Sequence, residues 1–376
     1  MSFRRAFSIG CSSAALVLGA TGDAVAAFPG TNGALTFFYA NEIFVMPPNG
    51  TVARSFGEGL SPAWSPNGRL IAFDAIVNRN DDIWVMRADG RGRRRVTTNP
   101  APDYFAAWSP DGRSIVFTSD RGNGEDLYVI GADGAGERQL MTDEFRDFAA
   151  AWSPDGALIA FAGNSRGNLE VEVVNADGTN RRALTDHPAR DEEPAWSPDG
   201  TRIAFTSERD GNANVYVMNA DGTGLQRLTE EPSNDRRPSW SPDGTLIAFE
   251  SDRDPAIFDR DVYVMNADGS NQHRLRTGDL NARDVDWQPT IDLTLAARRS
   301  GRSVVAQVTN RSSARALRVR VTFTSGKRRR ARDIGALDPG ATRSAAAVMP
   351  RRTTVVASAW HIDPNPTDNR RVIRGR

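Results

Sequence analysis

The 376-residue chain holds a single cysteine, Cys11, inside an N-terminal stretch that reads as a leader. Once that stretch is removed the chain has no disulfide, thiol nucleophile or thiolate metal site. Histidine is nearly as scarce. His187, His273 and His361 fall in separate parts of the chain without ligand spacing, which argues against a zinc centre. Beyond the N-terminus no apolar run reaches the ~18 residues of a spanning helix. A Gly-x-Ser-x-Gly elbow, a phosphate loop and a dinucleotide fingerprint are all missing, so the common hydrolase, NTPase and dehydrogenase constellations are not visible. Net charge is absent too, but that average hides a split. From Ile291 to Arg376 there are 19 Lys and Arg against 5 Asp and Glu, so the basic excess there balances an acidic excess before it.

Met1 to Ala26 has the parts of an export signal. Arg4-Arg5 form the charged start, Ser12 to Ala20 the apolar stretch, and Ala24-Val25-Ala26 a small-x-small cleavage site. The general secretory and twin-arginine routes both fit. Cys11 precedes the apolar stretch, so lipoprotein acylation is not expected. The expected location is periplasmic or extracellular, at the cell envelope.

What the chain has in abundance is a repeat. Trp-Ser-Pro recurs at Trp64, Trp108, Trp152, Trp196 and Trp240, about 44 residues apart, and a worn copy follows at Trp287. Each unit holds four short pieces with strand alternation. In the copy at Trp196 they are Glu193 to Ser197, Arg202 to Ser207, Asn214 to Met218 and Gln226 to Thr229. Ser197-Pro198-Asp199-Gly200 and Ala220-Asp221-Gly222 supply turn chemistry between them. Each unit is therefore expected to be a four-stranded antiparallel meander, one blade of a propeller. Five copies are complete. Ala34 to Phe56 carries three strands without a Trp strand, and Asp284 to Pro289 is a Trp strand with nothing after it. Joined, they give a sixth blade and close the ring.

The string Pro-x-Trp-Ser-Pro-Asp-Gly, then Ile-Ala-Phe, then Tyr-Val-Met, Ala-Asp-Gly and Leu-Thr resembles the TolB-like propeller repeat over residues 33–289. The resemblance implies a six-bladed β-propeller and a periplasmic role in an envelope system, with a lipoprotein partner docked near the mouth of the central tunnel. That family also carries an α/β domain before its propeller, whereas here the repeats start just after the leader. Residues 291–376 form alternating strands such as ALRVRVTFTSG. The ending from Asp363 to Asn369 and the Asp338-Pro339-Gly340 turn resemble CARDB-like immunoglobulin-type modules, which implies a small β-sandwich. The expected fold class is all-β, a six-bladed propeller followed by a small basic sandwich.

The candidate site comes from symmetry. Asp103, Asp147, Asp191 and Asp235 each lie five residues before a blade Trp, near one mouth of the channel. Gly59 and Ala282 hold that place in the other two units. Two readings stand: a turn cap or inter-blade bond, or a partial acidic ring for a cation or basic peptide. The residues beside these aspartates differ by unit and could carry specificity: Tyr104-Phe105, Phe148, Glu192-Glu193, Arg236-Arg237 and Arg283-Asp284. A second candidate is the long loop Arg253 to Arg260, where Ile257 and Phe258 at the tip either pack on the neighbouring blade or the C-terminal domain or form a contact patch for a partner. Lys327-Arg328-Arg329-Arg330 sits on an expected hairpin tip, either as solvated surface or as a contact for an anionic envelope polymer, a lipid headgroup or the acidic propeller. No cofactor is expected. Calcium is the one ion left open, at the oxygen-rich loops Asp120 to Asp126 and Asn78 to Asp82, neither of which has EF-hand spacing.

These features predict an exported, monomeric, non-enzymatic binding protein of the cell envelope. Its partner would be an envelope protein or a polysaccharide such as peptidoglycan, and not nucleic acid, since no aromatic platform accompanies the basic run. The rival readings are a propeller-based enzyme, a lyase or a peptidase-associated unit, and a structural protein held to the cell wall by its C-terminal charge.

Overall fold

A computed structural model describes residues 31–47, 53–122, 124–254, 260–275, 282–290, 293–300, 303–310, 316–325, 327–337, 341–349, 353–359 and 370–373. The leader, Ile257, Phe258, the Asp338-Pro339-Gly340 turn and the ending from Asp363 to Asn369 lie outside them.

Strands form where β-branched and aromatic residues alternate between turn formers. In the Trp196 unit they are Asp191–Trp196, Arg202–Ser207, Asn214–Asn219 and Gln226–Arg227, paired antiparallel in that order. The units at Trp64, Trp108, Trp152 and Trp240 repeat this arrangement. A further four-stranded sheet draws on both ends of the repeat region: Arg283–Thr290 pairs with Thr31–Tyr39, followed by Glu42–Met46 and Arg54–Glu58. Among the described residues there is no helix, and the fold is all-β and propeller-like.

The turns are built alike. In the Trp196 unit Ser197 Oγ donates to Asp199 Oδ1 (2.6 Å) and accepts from the Arg202 amide (2.9 Å), while Thr201 N–H donates to Asp199 (3.0 Å). At the same place in the Trp152 unit, hydrogen bonds from the Ala157 amide and the Ser153 hydroxyl hold the Asp155 carboxyl below its usual range. The Ala-Asp-Gly turn serves packing as well. Gly222 has φ +90°, and a Cβ there would fall 2.8 Å from the Leu184 carbonyl of the preceding sheet. Gly269 meets the Leu228 carbonyl in the same way, at 2.9 Å.

Strand alternation explains how the sheets stack. Ile203 and Phe205 face one side and Ala204 the other. The alanine side receives the next sheet: Ala195, Ala204, Val215 and Val217 form one cluster with Trp240, Ile247 and Phe249. Ala248, Val262 and Val264 likewise cluster with Leu35, Phe37 and Trp287. Trp196 and Trp240 are fully buried this way. The first strands touch in cyclic order, from the Trp64 strand through those of Trp108, Trp152, Trp196, Trp240 and Trp287 and back to Trp64.

The sheet made from both ends has its own fastenings. Asp286 stands immediately before Trp287, where other units have Ala63, Ala107, Ala151, Ala195 or Ser239. Its buried carboxylate accepts from the Trp64 amide of the neighbouring sheet (2.6 Å) and from the Trp287 amide (2.8 Å). On the other side Asn32 Nδ2 donates to Asp243 (3.0 Å) in the Trp240 unit.

Two smaller sheets follow. One orders Leu293–Ser300, Ser303–Asn310 and Thr342–Val348. The other orders Arg328–Leu337, Ala316–Ser325, Thr353–Ser358 and Arg370–Ile373. Leu295 and Val308 of the first share a buried cluster with Val321, Phe323 and Val355 of the second. One expected loop is largely strand. Asn80–Arg87 is a strand that pairs back on Leu70–Val77, so Asn80, Asp81 and Asp82 belong to a hairpin and not to an open oxygen-rich loop.

Burial pushes Asp286 from its ordinary 3.8 up to about 8. A carboxyl raised on folding contributes stability below its unfolded value, and that contribution is lost as pH rises through the folded value. Stability should therefore fall between pH 4 and pH 8. In Asp286→Asn that fall should shrink, read from urea midpoints across the range. An unchanged slope would show that the carboxyl does not titrate there.

Candidate functional site

The end of the sheets where the first strands begin carries most of the irregular chemistry. Four first strands start with the symmetric aspartates, and all four are buried. They do not form an open acidic ring at a channel mouth. Each pairs with an arginine of its own sheet, because an ionised carboxylate out of water needs a charge partner. Arg121 Nη2 binds Asp103 (2.7 and 2.8 Å), Arg209 Nη2 binds Asp191 (2.7 Å) and Arg253 Nη2 binds Asp235 (2.8 Å). In these three units the arginine Nε donates to a serine at the end of the second strand, Ser119, Ser207 or Ser251. The guanidinium then lies 4.3, 4.9 or 4.8 Å from the ring centre of Tyr128, Tyr216 or Tyr263. The Trp152 unit has Gly163 instead of the serine and takes its arginine from elsewhere. Arg181 binds Asp147 through both terminal nitrogens (2.9 and 2.7 Å) and Glu172 through Nε (2.6 Å).

Two residues further along, every first strand bulges. Ser61, Phe105, Ala149, Glu193, Arg237 and Asp284 have φ between +47° and +60°, and the pairing register shifts at each. None is glycine, and such a conformation costs roughly 1–3 kcal/mol per residue. The freed amides are partly repaid by side chains at the position after Ile-Ala-Phe. The Asp284 amide donates to Glu250 (2.9 Å), that of Arg237 to Thr206 (3.1 Å), and that of Ala149 to Thr118 (3.3 Å).

Side chains fill the middle. Arg237 pairs with Glu250 (3.1 Å), Asp284 and Glu193 (3.5 Å), drawn from its own sheet and both neighbouring ones. Arg260 adds a second cation 3.6 Å from Glu250. Asp74 lies nearby, and burial, followed by the charge of Asp81, pushes its carboxyl well up. Asp81 itself rises to about 7, from burial and then from Asp82. Glu192 is buried and rises to about 7 from burial and then from Glu193, although Arg236 lies 3.3 Å away.

The remaining candidates separate. Arg236 and Glu192 are brought together, and Arg236 also holds Glu208 (2.6 Å). Tyr104 stands apart, donating to Glu125 (2.6 Å), whose other oxygen pairs with Arg146. Arg283 is half-buried at the start of its strand. Sequence reasoning did not identify the arginines 121, 209 and 253, though Ser-x-Arg at the end of each second strand was their signal. It also missed Arg237 as a hub. Among the described residues no group of three or more His, Asp or Glu side chains is arranged to hold a metal ion.

The sequence profile of the TolB beta propeller domain matches residues 48–186, 136–222 and 193–325. The chain belongs to that family. A Tol-Pal system protein TolB of Thioalkalivibrio sulfidiphilus is 44% identical over 48 residues, 13% of this chain and 11% of that protein. One from Anaeromyxobacter dehalogenans is 41% identical over 56 residues, 15% of this chain and 12% of that protein. The chain thus aligns with only a small part of the length of these relatives. The crystal structure of TolB from Acinetobacter baumannii superposes with a TM-score of 0.61 at 20% identity, covering 69% of this chain and 67% of that one, which speaks for the fold alone. Within this TolB-family chain the buried aspartates act as fastenings. Arg209→Ala should cost about 3–5 kcal/mol by stranding Asp191. Adding Asp191→Ala should restore part of it in a double-mutant cycle read by urea unfolding. Strictly additive losses would refute the pairing.

Proposed function

We propose that this protein is an exported, non-enzymatic binding protein of the cell envelope. On this reading the six four-stranded sheets are blades of a closed propeller over residues 33–289, and residues 291–376 form an immunoglobulin-like sandwich that serves as anchor or second contact. The partner is an envelope protein. The curated relatives belong to a Tol-Pal system, which supports a periplasmic setting.

One observation carries the location of docking. Ile76, Val77 and Phe145 are large apolar side chains left 59%, 40% and 41% exposed, and all three lie at the end of the sheets where the first strands begin. Ile76 and Val77 cap a hairpin whose strands, Leu70–Val77 and Asn80–Arg87, outrun the six-residue strands of the Trp108 unit, so their tip stands proud of its neighbours. Asn78 and Arg79, both at positive φ, make the tight turn. Exposed apolar groups beside charged ones suit a protein surface that excludes water at its centre. Beneath them Asp103, Asp147, Asp191, Asp235 and Glu250 are each held by an arginine, while among the described residues no arginine pairs with Asp74 or Asp81. The paired groups favour a rigid platform.

In a cross-linking capture from the native envelope, Ile76→Asp with Val77→Asp should lower recovery of the partner about tenfold. Leu225→Asp, at the opposite end of the sheets, should leave recovery intact. Equal recovery from both variants, with unchanged melting, would remove this face as the docking site. Turnover of an envelope peptide or sugar polymer by the purified chain would overturn the non-enzymatic reading.

A further inference from the structure

The strand Arg328–Leu337 closes one edge of its sheet, pairing only with Ala316–Ser325. Lys327, just before it, and Arg328, Arg329, Arg330 and Arg332 on it are all exposed. The register places Arg330 opposite Phe323 and Arg332 opposite Val321. Those two partners are completely buried, so the strand carries its charges past the edge of the covered core. Arg329 stands opposite Thr324, on the other side of the sheet. The cations therefore alternate between the two sides of one strand and make a ridge, not a flat patch. Arg343, exposed on the edge strand of the other sheet, reaches across and donates to the Ile334 carbonyl (2.7 Å), which places a sixth cation beside the ridge.

The acid content of this region does not balance it. Asp333 is the one acidic residue on the strand, and Arg320 holds it at 2.6 and 3.0 Å. Among the described residues no carboxylate pairs with Lys327, Arg328, Arg329, Arg330 or Arg332. Edge protection against sheet-to-sheet aggregation explains one or two charges on such a strand. It does not explain five of one sign, whose mutual repulsion is unfavourable without a counter-charge.

We propose that this edge strand is a binding ridge for a linear polyanion, an envelope polymer bearing repeated carboxylate or phosphate groups. From Lys327 to Arg332 the ridge runs about 17 Å at the rise of an extended strand. A flexible chain can lie along it and meet cations on both sides, whereas a flat bilayer meets one row only. Arginine suits the task, since its planar fork binds carboxylate and phosphate oxygens in pairs. The surface is separate from the docking face proposed above, so the two can fail independently.

The test uses the full mature chain with alginate as the carboxylate polymer, polyphosphate as the phosphate polymer and phosphatidylglycerol vesicles as the membrane surface. Binding is followed across a salt series. Arg328→Gln, Arg329→Gln and Arg330→Gln combined should weaken binding to at least one polymer by about tenfold or more and flatten its salt dependence. The charge-matched control combines Arg91→Gln, Arg113→Gln and Arg182→Gln, exposed positions in the turns and strands before residue 290, and should bind as the parent does. Melting curves establish that both variants are folded. Which polymer responds identifies the anion. Equal weakening by the two triples would reduce the effect to net charge and overturn the proposal, as would no weakening by either. Binding to vesicles with no binding to either polymer would replace the polymer with a membrane.

Discussion

The structure depends first on an apolar contact that no single sheet can make alone. Each four-stranded sheet has two faces to bury, one of alanine and valine and one of tryptophan, isoleucine and phenylalanine. The large face of each sheet fills the small face of its neighbour, as Trp240 does against Ala195 and Ala204. This contact sets the spacing between sheets, and with it the approach of the turns. Gly222 and Gly269 have no room for a Cβ because a carbonyl of the preceding sheet lies against them. Stacking of this kind has to return to its start or leave an apolar face exposed. The first strands do return, with the Trp287 strand against that of Trp64.

Most of the buried charge lies at the end of the sheets where the first strands begin. There the chain buries charge on a scale that only pairing permits. Asp103, Asp191 and Asp235 each have an arginine fixed by a serine and laid over a tyrosine ring, so the guanidinium is held on three sides. Arg237 does the same work between sheets. Most of these buried acids are thus paired, and the apolar tips Ile76, Val77 and Phe145 lie exposed at the same end.

Much of this was legible in the residues, and the limits have physical causes. The strands, the turns and the pairing of Arg283–Thr290 with Thr31–Tyr39 follow from local alternation and from counting tryptophans. The aspartates five residues before Trp108, Trp152, Trp196 and Trp240 are legible as a symmetric set, but their environment is not foreseeable from spacing. Whether such a carboxylate meets solvent or an arginine depends on a partner 18 residues later, and on a register that folds Ser-x-Arg back over it. The six bulges left no trace, because Phe105, Glu193 and Arg237 are ordinary strand residues held at positive φ by the pairing around them. Asp286 stands where the other units have alanine or serine. Its role appears only when the Trp64 amide is seen 2.6 Å away.

The docking face proposed for this protein lies at the end of the sheets where the first strands begin. Hydrogen exchange of the full chain, with and without its native envelope extract, tests it directly. The amides around Ile76 to Arg79 and from Thr142 to Arg146 should slow in the presence of the extract. The Pro-Asp-Gly turns at the opposite end should exchange as before. Protection at those turns, with the Ile76 hairpin unchanged, would contradict the account.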